Sequence, residues 1–161
     1  MTDKNQAIIT FLSNCPQISE NPIFFNFINA KDNDKQLVTV ANDKAINKNY
    51  IDGSVMKRYT FTIIDFKSVA YRAIPKMTNL TDENVEEFMD TQAIVDWITE
   101  QAELRNYPNF GEECIIEDMR TTTENPNQNG VDTSVTPALA KYSVSIQIDY
   151  LDLSKVIWKG A

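Results

Sequence analysis

The sequence predicts an α+β domain: a mainly antiparallel β-sheet of about four to five strands, with two helices packed on one face. Three observations predict it. Residues 141–151 alternate almost perfectly, Tyr142, Val144, Ile146, Ile148 and Tyr150 against Ser143, Ser145, Gln147 and Asp149, which is the two-residue period of a strand with one buried and one wet side. Residues 56–63 repeat the pattern, with Tyr59, Phe61 and Ile63 opposed to Arg58, Thr60 and Thr62. Long half-wet strands belong to an antiparallel sheet covered on one side. The cover comes from a helical period over about 82–105, where Phe88, Val95, Ile98 and Ala102 form one stripe flanked by Ile94 and Trp97.

The remaining elements follow in chain order. A first helix spans about 3–14: Thr2 or Asp3 can cap it, Ala7, Ile8, Phe11 and Leu12 line one side, and Pro16 ends it. Strands at about 23–30 and 36–41 read as a hairpin across the polar run 31–35, although Phe24, Phe25, Phe27 and Ile28 do not alternate. Residues 42–53 read as a polar connection that closes on the turn pair Asp52-Gly53. The next strand covers about 55–66, and the successive Ile63 and Ile64 mark a bulge or the strand's exit from the sheet. Thr81 caps the long helix, Asp82 and Glu83 sit where the helix dipole favours negative charge, and Leu80 with Val85 forms a hydrophobic staple. Asn106, Pro108 and Gly111 stop it. A weaker strand at about 113–122 is carried by Ile115, Ile116 and Met119, and the last strand covers about 140–152. Between them, 124–137 reads as a long polar loop; a tail, 154–161, closes the chain.

The length of 161 residues fits a single domain, 1–161. A chain of this mass buries about 69% of its unfolded surface, enough for a core without staples. The net charge is −8, which argues against specific nucleic-acid binding, a task for clustered Lys and Arg. DNA would slide past such a surface. The sequence contains no histidine, so every Ser-His, Cys-His and His-metal arrangement is excluded. Four glycines lack the spacing of a phosphate loop. Asp32-Asn33-Asp34 opens like a calcium loop but lacks its central glycine and closing glutamate. The carboxylate pairs Glu86–Asp90 and Asp96–Glu100 read as the solvated side of the helix, and Tyr59, Phe61, Tyr142 and Tyr150 as core, not as a base-stacking platform. The expectation is therefore no catalytic residue, no cofactor and no metal. Cys15 and Cys114 read as reduced packing residues. The chain opens without a basic stretch and apolar run, and no segment approaches the roughly 18 apolar residues of a membrane span, so it is expected in the cytoplasm when made.

Two features point to protein contacts. The 124–137 loop, with Asn125, Asn127, Asn129, Gly130 and Asp132, would project as a hairpin tip, either disordered or ordered against a partner. Trp158 on the tail would dock, onto its own domain or onto a neighbouring subunit.

The stretches Asp52-Gly53-Ser54 with residues 57–63, Ala93-Ile94-Val95-Asp96-Trp97-Ile98, and residues 140–150, in this order of elements, resemble the minor capsid and tail-terminator proteins of long-tailed bacteriophages. The likeness covers most of the chain and is nearest to versions from phages and prophages of Gram-positive bacteria. It implies a homo-oligomeric ring, commonly a hexamer, at the head-proximal end of the tail tube. Such a ring stops tube polymerisation and supports head–tail joining, with the tail tube protein and the head connector or head completion protein as partners. The family has no active site. Its location would be the host bacterial cytoplasm during assembly and then the virion. The long Asn-rich loop departs from the family's pattern. Acidity and the missing catalytic residues equally suit a small monomeric binding module, such as an immunity or inhibitor protein; a carboxylate-based enzyme is the third reading.

Overall fold

A computed structural model describes residues 3–19, 23–25, 35–39, 44–68, 82–122, 127–132 and 139–156. The elements are α1 (Lys4–Leu12), α2 (Pro16–Ser19), β1 (Ile23–Phe25), β2 (Lys35–Thr39), β3 (Lys44–Asn49), β4 (Val55–Ser68), α3 (Asp82–Glu103), β5 (Cys114–Thr121), β6 (Asn127–Asp132) and β7 (Leu139–Asp152). The fold is α+β with a mainly antiparallel sheet. Its main path runs β1-β2-β4-β7-β5, with β3 added to β4 and β6 added to β7.

The two alternating stretches of sequence are the spine of the sheet. β4 and β7 pair antiparallel from Val55↔Asp152 to Ser68↔Leu139 without a register shift. Tyr59, Phe61 and Ile63 therefore share a side with Val144, Ile146, Ile148 and Tyr150, all buried. Ile8, Phe11 and Leu12 of α1 and Ile94, Val95 and Ile98 of α3 pack on that side as one cluster, and Phe11 meets Trp97 at a 5.0 Å ring separation. Each buried side chain of this size contributes about 1.5–3 kcal/mol. Asp3 caps α1 by accepting from Asn5 N at 2.9 Å. Within the core, Thr91 of α3 donates to the buried Asp65 of β4 at 2.9 Å.

Several expectations are corrected. β1 and β2 pair in parallel, Ile23↔Lys35 to Phe25↔Leu37, so they are not a hairpin; parallel strands need a crossover between them. The polar connection 42–53 contains β3, which pairs antiparallel with β4. Ladder bonds come from the backbone, so a polar sequence can fill an outer strand without a buried side. The expected loop 124–137 contains β6, paired to β7 from Asn127↔Ser143 to Asp132↔Leu139 with a shift between Gln128 and Val131. Among the described residues the main path holds the expected five strands, β3 and β6 are added to it, and α2 adds a short helix to the two expected. Ile63 and Ile64 mark neither a bulge nor an exit: β4 continues to Ser68, Ile63 on the core side and Ile64 opposite.

α3 ends at Glu103 in a closing motif that the sequence disguises. Arg105 takes φ 54°, while Arg105 N donates to Ala102 O at 3.1 Å and Asn106 N to Gln101 O at 2.9 Å. This is the six-to-one, five-to-two pattern that normally carries glycine at the left-handed position.

Candidate protein-interaction site

One side of the sheet carries the helices; the other is the candidate site. Its residues are those whose cross-strand partners point away from the core. Arg58, Thr60 and Thr62 of β4 face Asp149, Gln147 and Ser145 of β7. Thr62 and Ser145 join hydroxyl to hydroxyl at 2.9 Å.

The polar pattern fails at one end of this side, and the failure is informative. Met56 lies opposite Leu151, and Leu151 lies opposite Ile115 of β5. Three apolar side chains thus form a row across β4, β7 and β5, on strands about 4.8 Å apart. Met56 and Leu151 are half-buried and Ile115 is 47% exposed. The turn that leads into β4 adds Tyr50, 47% exposed, and Ile51, 102% exposed. That turn is firmly held: Asp52 Oδ1 accepts from Ser54 N at 2.9 Å and from Ser54 Oγ at 2.6 Å, and Gly53 supplies φ 94°. The Ser54 hydroxyl and amide hold the Asp52 carboxyl below its ordinary value.

The next row along the sheet is ionic. Arg58 grips Asp149 with a fork, Nε to Oδ1 at 2.8 Å and Nη2 to Oδ2 at 3.3 Å. Arg120 reaches Asp149 at 3.5 Å and also pairs with Asp118. With its amide oxygen turned towards the guanidinium groups, Gln147 accepts from Arg58 at 2.9 Å and from Arg120 at 2.6 Å. Partial burial pushes the Asp149 carboxyl up, but the Arg58 hydrogen bond and the two positive charges outweigh it and leave the group below its ordinary value. The Asp149 hydrogen bond raises Arg58 in turn. An apolar row thus lies beside charges that are already paired; protein contact patches combine an apolar centre with a polar rim.

β5 enters this geometry through a bulge. Its register shifts between Ile116 and Asp118, so Ile115 and Asp118 share the outer side although they are three apart in sequence. On the core side of the same sheet end, Lys57 and Asp152 pair at 2.7 Å. Burial raises the Asp152 carboxyl, yet hydrogen bonds from Lys57 and Ser154 prevail and bring it down to about 2.

Of the residues singled out in the sequence, Asn127, Asn129, Gly130 and Asp132 lie in β6 and not on a projecting loop. Asn125 and Trp158 fall outside the described residues. The four in β6 lie along the other end of β7 and are not part of the apolar row. That row was missed although its signal was present: Met56, Leu151 and Ile115 are apolar at positions where alternation calls for polar ones.

A surface cleft of about 450 Å³ between α1 and residues 106–109 is floored by Phe11, Tyr107 and Pro108. Its polar groups serve local structure, Asp3 as the helix cap and Asn109 in accepting from Gly111 N. Both cysteines are outside disulfides, Cys15 buried and Cys114 half-buried. Among the described residues no group of three or more metal-ligating side chains converges, and no helix is long and apolar enough to cross a membrane. No known protein-family model matches the chain, and no curated protein matches it.

Proposed function

We propose that this chain is a structural assembly protein whose work is to contact other protein subunits, in the manner of a phage tail terminator: a ring at the head-proximal end of the tail tube. The observation that carries the reading is the row Met56–Leu151–Ile115, left partly exposed on the side of the sheet opposite the helices. Leaving such a row in water costs free energy that association recovers, at about 25 cal/mol per Å² removed from water. The paired charges beside it fix orientation more than they add affinity. The acidic balance of the chain, −8, suits a channel that DNA traverses without adhering. In this reading the protein makes and breaks no covalent bonds, and its partners are further copies of itself, the tail tube protein and the head connector.

The test is functional. Pure protein is added to polymerising tail-tube subunits, and tube lengths are measured by negative-stain electron microscopy. Growth that stops, with the protein at one end of each tube, supports the proposal; tubes that lengthen as if nothing had been added contradict it.

A further inference from the structure

The ionic row runs across four strands. Lys44 of β3 is the cross-strand partner of Arg58, Arg58 of Asp149, and Asp149 of Asp118 on β5. Read across the sheet, the row is basic, basic, acidic, acidic. Its two ends are the two outermost strands at this end of the molecule: among the described residues β3 pairs with β4 alone and β5 with β7 alone. One edge of the sheet ends the row in a lysine and the other in an aspartate.

Strand direction adds a second complementarity. β3 is antiparallel to β4, β4 to β7, and β7 to β5, so β3 and β5 of one copy run in opposite senses. A neighbouring copy in the same orientation therefore brings its β3 to β5 as an antiparallel pair, the geometry used throughout the centre of the sheet. With Lys44 of the neighbour at the register position of Asp118, the basic end of one row continues into the acidic end of the next. The exposed Ile115 lies on the same edge and would be covered by that contact.

From these relations we infer that copies join edge to edge, β5 of one against β3 of the next, with Lys44 set against Asp118. The contact uses different surfaces on the two copies, so it repeats head to tail and closes into a ring when its rotation allows. The inference rests on the assembly reading above and names the contact within it.

The experiment mixes full-length protein of natural isotopic composition with 15N-labelled protein, treats it with a carbodiimide, and reads the cross-links by mass spectrometry. Within one copy, two strands separate Lys44 from Asp118, a span of about 14 Å that a zero-length link does not bridge. The expected product is a mixed-isotope link from Lys44 to Asp118 or Glu117. Lys44→Glu should weaken association about tenfold by light scattering, with unchanged circular dichroism. Copies that associate without that link, or that link through Lys159 of the tail, overturn the edge pairing and leave the assembly reading standing. So does association that Lys44→Glu does not alter. Copies that never associate, alone or with tail-tube subunits, overturn both.

Discussion

Arg58 and Asp149 are direct cross-strand partners at the centre of the sheet, and both donors of the guanidinium fork, Nε and Nη2, reach the carboxylate, at 2.8 and 3.3 Å. Asp149 is the less exposed of the two, its side chain 14% accessible, so removing Arg58 leaves a partly desolvated carboxylate whose remaining cation among the described residues is Arg120, at 3.5 Å. Arg58→Leu should cost about 1–2 kcal/mol of stability, measured by urea unfolding. Arg120→Leu, at the open end of the network, should cost less than about 1 kcal/mol.

Acid should weaken the fold in a defined window. The Asp152 carboxyl lies at about 2 in the folded chain against an ordinary 3.8. A group whose folded value is depressed stabilises the fold above its unfolded value, and that stabilisation fades as pH falls towards the folded one. Stability should therefore drop between about pH 4 and pH 2, by roughly 1 kcal/mol from this group once solvent screening is allowed for. Asp152→Asn should flatten that part of the profile in denaturant titrations at successive pH values.

The Thr91–Asp65 hydrogen bond ties α3 to β4 inside the core. Thr91→Val keeps the shape and removes the donor, so it should cost about 1–3 kcal/mol. A thermal shift of several degrees, read by calorimetry, would record it.

Arg105 occupies the left-handed closing position of α3 at φ 54°. Glycine takes that conformation without the Cβ clash, so Arg105→Gly should stabilise the protein by about 0.5–1 kcal/mol in urea. The direction is diagnostic, because glycine within a helix would have the opposite effect.

Alternation in β4 and β7 is driven by burial, which is why Tyr59 to Ile63 and Tyr142 to Tyr150 could be placed on the core side from sequence. The same force exposed α3 through its stripe. β3 and β6 stayed hidden for the complementary reason: Lys44, Asn47 and Asn127 to Asn129 occupy strands whose ladder bonds come from the backbone, which leaves no hydrophobic period to read. The parallel β1–β2 pair also escaped, because short apolar runs fix neither direction nor register. As for the site, its residues were visible singly, but the bulge after Ile116 placed Asp118 beside Asp149 in a way that spacing does not show.

Ile115 is exposed and should be replaceable without loss of fold, within about 0.5 kcal/mol. Sedimentation velocity over a wide concentration range, comparing the native chain with Ile115→Lys, tests the central claim most directly. The account predicts that the native chain forms larger species as concentration rises, on its own or with tail-tube subunits, and that the substituted chain remains single under the same conditions. A native chain that sediments as one copy throughout, or a substituted chain that assembles equally well, would contradict it.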